Sequence, residues 1–219
     1  MEPLAARLKE LAVTQRALNP TTCAGFIYAM QTHAFSQDDL DQTLCDVVHY
    51  CSRPRIGVMG HTQPRECFVV IEQALIGRGA NAHQPWRMKP PIMLALTHFD
   101  TPQLASVLIA NGATMRESSY SDLEEVATLW MPTIVQLRPD EVQRLFPAVE
   151  ERERMLCYMC EEKDDLEVSD IMFWIQLGAN PRAQAHPEGW DAATCVRHQL
   201  AKRSKSKRLA QCLRYLEGL

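Results

Sequence analysis

The chain of 219 residues has no apolar run of the roughly 18 residues that a membrane-spanning helix requires. Its longest apolar stretches are interrupted by Glu, Gln or Asp within a few positions, so we expect no insertion into a membrane. It also lacks a nucleophile elbow, a glycine-rich phosphate loop and a His-Glu-x-x-His motif. The sequence therefore predicts neither enzymatic activity nor a cofactor.

An excess of positive charge is missing as well. The formal net charge of −4 argues against broad affinity for nucleic acids, because phosphate binding needs a basic face. No secretory signal is visible, so the eight cysteines are predicted to be free thiols rather than a disulfide framework. We therefore expect a reducing intracellular compartment, the cytoplasm first, with an organelle matrix or the nucleus as alternatives.

A short pattern, an apolar run closed by Gly-Ala, returns three times at one period. Gly79 and Gly112 are 33 residues apart, and Gly112 and Gly178 are 66 apart, which is two further steps of 33. The preceding apolar positions align in the same frame: Ala74, Val107 and Phe173; Leu75, Leu108 and Trp174; Ile76, Ile109 and Ile175. Such a period indicates stacked supersecondary units, none of which buries its apolar face alone.

Each Gly-Ala pair is predicted to end a helix. A helix ends readily where the next residue adopts a positive φ angle, which glycine does without steric cost. The small alanine suits a tight turn, and Asn81 or Asn180 can bond its own backbone as the chain leaves the helix. In the middle unit, Pro91 predicts the start of a first helix, and Pro102 predicts the start of its partner, which the Gly112 end closes. Each unit therefore has the order helix, turn, helix, glycine cap, loop.

This pattern resembles the ankyrin repeat, whose period is about 33 residues. The resemblance implies an all-α, ankyrin-like helical repeat solenoid over residues 36–219, with residues 1–35 as an N-terminal helical cap. The clearest units are residues 61–81, 90–114, 150–180 and 188–219. No unit carries the full Thr-Pro-Leu-His motif, and Leu145-Phe146-Pro147 replaces the expected glycine end. The alternatives are another kind of helical repeat, or three unrelated helix ends.

Ankyrin-like stacks bind other macromolecules through the loops after each Gly-Ala end and through their first helices. The resemblance thus implies a non-catalytic protein-interaction module, either an adaptor or a structural subunit of a larger assembly, with one or more proteins as partners. Aromatic residues and arginine dominate interface energetics. The candidates, completed by neighbouring methionine and histidine residues, are Trp86, Arg87, Met88, Met115, Arg116, Tyr120, Arg182, His186 and Trp190. The alternative for the two tryptophans is inward packing.

Two other clusters suggest different functions. Five cations, Lys202, Arg203, Lys205, Lys207 and Arg208, lie between the last two helices and form either an anion-binding loop or a solvated one. Such a loop would bind a nucleic acid or another anionic surface.

The second cluster combines a Cys-x-x-Cys with a Cys-x-x-His, which is the ligand set of a structural zinc site. Its members are Cys157, Cys160, Cys195 and His198. Because residues 154–159 read as the interior of a helix, core packing of these cysteines is favoured over a zinc-stabilised module.

Overall fold

The computed structural model describes residues 20–51, 66–83, 89–97, 101–115 and 131–219. The prediction of an all-α protein is confirmed, since these ranges contain helices and no β-strand. Eleven helices are described: α1 (Pro20–Thr32), α2 (Gln37–Cys51), α3 (Glu66–Gly77), α4 (Pro91–Leu96), α5 (Pro102–Ala110), α6 (Met131–Ile134), α7 (Pro139–Leu145), α8 (Val149–Glu162), α9 (Val168–Gln176), α10 (Ala192–Lys202) and α11 (Lys207–Glu217).

Helices α4 and α5 begin where the two prolines predict a helix start, and polar caps begin three other helices. Pro91 and Pro102 occupy the first turns of α4 and α5, where their missing N–H groups have no intrahelical acceptor to lose. At the start of α2, the hydroxyl oxygen of Ser36 accepts a hydrogen bond from the N–H of Asp39 at 3.1 Å. Asp191 and Ser206 cap α10 and α11 in the same way. Local side-chain chemistry therefore sets these boundaries.

The three Gly-Ala ends have the same geometry. The glycines have φ angles of +100°, +91° and +94°. In each end the alanine N–H reaches back five residues to a carbonyl, in the double hydrogen-bond pattern of a Schellman motif. These bonds join Ala80 to Leu75, Ala113 to Leu108 and Ala179 to Trp174, each at 3.0 Å. The side-chain oxygens of Asn81 and Asn180 then accept N–H groups two residues further on, at 2.9 and 3.0 Å. The prediction for these ends is confirmed.

Helix α7 has no glycine at its end, and its carbonyls find hydrogen-bond donors elsewhere in the C-terminal unit. The carbonyl of Leu145 accepts the N–H of Met115 at 2.9 Å. The guanidinium of Arg152, which is 8% exposed, donates to the carbonyls of Phe146 at 2.5 Å and Pro147 at 3.1 Å. Since carbonyls at a helix end need partners, Met115 and Arg152 supply the donors that a Schellman motif would otherwise supply.

Residues 1–113 form the first of two compact units. In this N-terminal unit α2 packs against α3 and α4 against α5 as two helix pairs. The first helices of the pairs, α2 and α4, contact each other, and so do the second helices, α3 and α5, with α1 against α3. Asp41 of α2 accepts the N–H of Asn81 at 2.6 Å, which ties the first helix to the loop after the Gly-Ala end.

Residues 114–219 form the C-terminal unit. It contains two helix pairs, α8 with α9 and α10 with α11. As in the N-terminal unit, the first helices of the two pairs, α8 and α10, contact each other, and so do the second helices, α9 and α11. The side-chain amide of Gln199 on α10 donates to the carbonyls of Glu161 and Lys163, at 2.9 and 3.1 Å, and holds the end of α8 against α10.

The predicted domain boundary differs from this division. We expected a cap over residues 1–35 and one repeat domain over residues 36–219, whereas the compact units meet between Ala113 and Thr114. Helix α1, which lies within the predicted cap, packs on α3 as part of the N-terminal unit. The rest of the predicted cap up to residue 19 lies outside the described residues.

Two glycines near the end of α3 give a direct test of the Gly-Ala end. Gly77 is helical, whereas Gly79 has φ +100°, and a Cβ at either position meets no described atom within 4 Å. We expect Gly77→Ala to raise the free energy of unfolding by about 0.5–1 kcal/mol. Gly79→Ala should lower it by about 1–2 kcal/mol, because L-residues resist the left-handed region. Urea unfolding followed by far-UV circular dichroism measures both, and effects of equal sign would contradict the assigned geometry.

Candidate functional site

The predicted partner-binding residues divide into three groups. Trp86, Arg87, Met88, Arg116 and Tyr120 lie outside the described residues. Met115 is only 2% exposed and does not present its side chain to a partner, contrary to expectation. The Met115 N–H donates to the carbonyl of Leu145 at the end of α7, within the C-terminal unit. Arg182, His186 and Trp190 share the loop between α9 and α10.

This loop, residues 180–191, is organised by a sequence of tight turns. After the turn at Asn180, the N–H of Gly189 donates to the carbonyl of His186 at 2.8 Å, and Gly189 has φ +74°. The N–H of His186 donates to the carbonyl of Trp190 at 3.3 Å. Asp191 then starts α10 by accepting the N–H of Thr194 at 2.8 Å. The loop therefore has a defined conformation that brings His186 beside Trp190.

The side chains of this loop form a cluster with the facing helices, here called the His–Trp cluster: Glu161, His186, Trp190 and His198. Nε2 of His186 lies 2.6 Å from Oε2 of Glu161. The ring of Trp190 stacks on His186 at 4.9 Å with an interplanar angle of 10°, and meets the edge of His198 at 4.7 Å. Aromatic contacts at these separations stabilise beyond the area that they bury.

The hydrogen bonds of His186 determine which nitrogen carries its proton. The N–H of Glu188 donates to Nδ1 at 3.2 Å, so Nδ1 accepts and Nε2 carries the proton that it donates to Glu161. Nδ1 of His198 lies 3.3 Å from Oε1 of the same carboxylate, but it is not aligned for a hydrogen bond. Glu161 thus connects the loop to α10, and its own carbonyl accepts from Gln199.

Trp190 is half-buried, which agrees in part with the alternative of inward packing. The side chain of His186 is 8% exposed, and Trp190 lies between two histidine rings. Arg182 is exposed at the tip of the loop. Its equivalent in the first Gly-Ala unit is His83, which also follows an asparagine turn and is exposed. The tip position therefore faces solvent in both units, while the His–Trp cluster supports one of the two tips.

The five cations of the basic segment are all exposed. They are not confined to a loop as expected, because Lys202 ends α10 and Lys207 and Arg208 begin α11. Arg203 pairs with Asp164, and Arg208 lies 3.6 Å from Glu167. The three remaining members have no acidic partner among the described residues: Lys202, Lys205 and Lys207. Part of the positive charge is therefore balanced within the C-terminal unit.

The four zinc candidates do not come together as one ligand set. His198 faces Glu161, and Cys160 is fully buried in α8. Cys157 and Cys195, on α8 and α10, are also buried and hydrogen-bond to each other through their side chains. In the ranges that the structure describes, no three His, Cys, Asp or Glu side chains are arranged to hold a metal ion.

Sequence reasoning missed three polar residues in the interior, Glu72, Arg152 and Glu161. Periodicity carried a signal for the first two, since Glu72 follows Phe68 by four residues and Arg152 precedes Met155 by three, on the buried faces of their helices. Burial raises the pKa of the Glu72 carboxyl well above its ordinary value. Glu161 had no such signal, because its partners come from a distant loop.

None of the helices described is both long and apolar enough to cross a bilayer. No family model, curated protein or solved structure matches the chain.

Proposed function

We propose that the protein is a non-catalytic protein-interaction module built from ankyrin-like helix pairs. The observation that carries the proposal is that three helices end in the same way, with a positive φ angle at glycine and the same backbone hydrogen bonds. The proposal is supported by the packing within each unit, where the first helices of the two pairs contact each other and so do the second helices. Stacked pairs of this kind leave their loops and first helices open to other macromolecules.

The loop tips are the best candidates for the contact with a partner protein. The backbone at each tip is fixed by a Schellman end followed by an asparagine turn. A loop whose backbone is already ordered loses less conformational entropy on binding than a mobile loop. Arg182 offers five N–H donors in a planar fork, and the His–Trp cluster holds its loop against α8 and α10. Arg182 is therefore the residue on which we expect binding to depend most.

The basic segment supports a second candidate function, binding to a nucleic acid or another anionic surface. Its three lysines without an acidic partner in the described ranges are exposed on α10, on the turn and on α11. Unpaired surface cations release counterions from phosphate chains, so such binding would weaken steeply with salt. Because the chain has a negative net charge, which opposes binding to phosphate chains, we rank anion binding second.

Affinity capture with charge-reversal variants tests the proposal. The tagged full-length chain is incubated with lysate of its native cells, washed at moderate and at high salt, and the retained proteins are quantified. We expect Arg182→Glu to reduce the retained partner by tenfold or more, which corresponds to about 1.4 kcal/mol. The matched control is Arg214→Glu, the same change at an exposed arginine of α11, which should retain the partner in full.

Other outcomes separate the two candidate functions. Equal retention by the Arg182 and Arg214 variants would contradict a role for the loop tip. Loss of the bound material at high salt, together with its loss on K202E/K205E/K207E, would favour the second candidate. The absence of any stoichiometric protein partner at both salt concentrations would remove the interaction-module proposal.

A further inference from the structure

Two thiols of the C-terminal unit meet where α8 packs on α10. Cys157 of α8 is 2% exposed, Cys195 of α10 is fully buried, and their side chains hydrogen-bond to each other. Helices α8 and α10 pack against each other, and Ala192 and Cys160 are among their buried residues. The two sulfurs are therefore held in contact by the packing of two helices, far apart in sequence but adjacent in the stack.

Cys157 also lies directly beneath the 180–191 loop. Its sulfur is 3.8 Å from the carbonyl oxygen of Trp190, to which the thiol donates. A backbone hydrogen bond from Ala185, in the same loop, reaches the same sulfur. The loop is held by turns and side-chain contacts rather than by a helix, and such segments open at a lower free energy than the global unfolding. Opening of this loop would uncover the Cys157 sulfur.

The electrostatics distinguish Cys157 from the other cysteines. The hydrogen bond from Cys195 is the largest effect on Cys157 and lowers its pKa, and the same bond raises the pKa of Cys195. Burial raises the pKa of Cys23 and Cys212 to about 11 and that of Cys45 to about 12. Because the thiolate is the reactive form, Cys157 is the best nucleophile among the described cysteines whose pKa is displaced.

We propose that Cys157 and Cys195 form a site of reversible oxidation, at which a hydroperoxide converts the two thiols into a disulfide. The Cys157 thiolate attacks the terminal peroxide oxygen, the O–O bond breaks, and Cys157 becomes a sulfenic acid as the alkoxide or hydroxide leaves with a proton. The Cys195 sulfur then attacks the Cys157 sulfur, the S–O bond breaks, and the oxygen leaves as water with the Cys195 proton. Two thiols and one hydroperoxide thus give one disulfide, one alcohol or water, and one water.

The disulfide would alter the loop that covers it. Oxidation removes the S–H that donates to the Trp190 carbonyl, and it draws the Cys157 sulfur toward α10. Both changes act on the loop that carries Arg182 and the His–Trp cluster. The chemistry itself does not depend on the proposed function, so the two can fail separately.

Peptide mapping of the oxidised chain tests the site. The reduced full-length protein is treated with a small excess of hydrogen peroxide, residual thiols are alkylated, and the chain is cut with trypsin without reductant. Cleavage after arginine and lysine places Cys157 in peptide 155–163 and Cys195 in peptide 183–197. We expect these peptides to appear mainly as a cross-linked pair that dithiothreitol separates, while peptides with Cys23 and Cys212 remain alkylated.

Single variants assign the roles of the two thiols. Cys195→Ala should leave a sulfenic acid at Cys157 that dimedone labels, whereas Cys157→Ala should leave Cys195 unoxidised. Cys160→Ala, in the same tryptic peptide, is the matched control and should preserve the cross-link. A link between Cys157 and Cys160, or full alkylation of Cys157 and Cys195 in wild-type protein whose circular dichroism stays helical, would overturn the proposal.

Discussion

Replacing Trp174 by alanine should destabilise the C-terminal unit more than any other single truncation considered. Trp174 is fully buried on α9, with its ring meeting Phe146 and Phe173 edge-on at 5.5 Å. A buried tryptophan cut to alanine costs about 3–5 kcal/mol, because the lost contacts leave a cavity. The corresponding fall in the thermal midpoint of the C-terminal unit is roughly 10 °C or more.

Two further variants make this expectation specific. Trp174→Phe keeps most of the apolar ring and removes the indole N–H, which has no hydrogen-bond partner among the described residues. Since that N–H is itself costly to bury, Trp174→Phe should lose less than half as much as Trp174→Ala. Met172→Ala, at a side chain of the same helix that is 39% exposed, should change stability by less than about 0.5 kcal/mol. Far-UV circular dichroism during urea and thermal unfolding measures all three.

Replacing Glu72 by methionine should stabilise the protein at neutral pH. Glu72 lies in α3 with no exposed surface, and neither carboxylate oxygen has a hydrogen-bond partner in the described part of the chain. An unsatisfied polar group of this kind costs about 1–3 kcal/mol, and methionine fills a similar volume without that cost. We therefore expect Glu72→Met to raise the free energy of unfolding by about 1–3 kcal/mol.

The stabilisation should depend on pH in one direction. Burial raises the pKa of Glu72 in the folded protein well above the value of 4.5 of an exposed glutamate, so folding favours the protonated form of this carboxyl group. The cost is smallest below the unfolded pKa and grows as the pH rises from there toward the folded pKa. The advantage of Glu72→Met over wild type should therefore shrink as the pH falls toward 4.5.

Urea unfolding of wild type and Glu72→Met at several pH values measures this difference. Gln73→Met, the neighbouring exposed position of α3, is the control and should show no such pH dependence. A loss of stability in Glu72→Met at neutral pH would show that the carboxylate is paired and ionised in the folded protein.

Much of the local structure was predictable because its causes lie within a few residues. The aligned positions Leu75, Leu108 and Trp174 are all fully buried, and each provides the carbonyl that the alanine of its Gly-Ala end binds. Pro91 and Pro102 marked the starts of α4 and α5 for the same reason. The ankyrin-like solenoid itself stays a prediction, since each compact unit shows stacked helix pairs within its own limits.

The site was less predictable, as His186 and Trp190 show. Composition favours both residues at interfaces, yet they pack against Glu161 and His198, which approach them from α8 and α10. Met115 was favoured for a partner as well, yet it is buried. Whether an aromatic or long side chain faces a partner or a core depends on its neighbours in space.

The sequence alone determined the all-α class, the helix ends at the three Gly-Ala pairs and the starts of α4 and α5. These features follow from backbone angles, missing N–H groups and short-range hydrogen bonds, which a residue and its neighbours decide together. Only the tertiary structure decided the contact between Cys157 and Cys195, the unpartnered burial of Glu72 and the division near residue 113. Those features depend on which helix faces lie against each other, and packing between distant segments brings together groups that no local pattern relates.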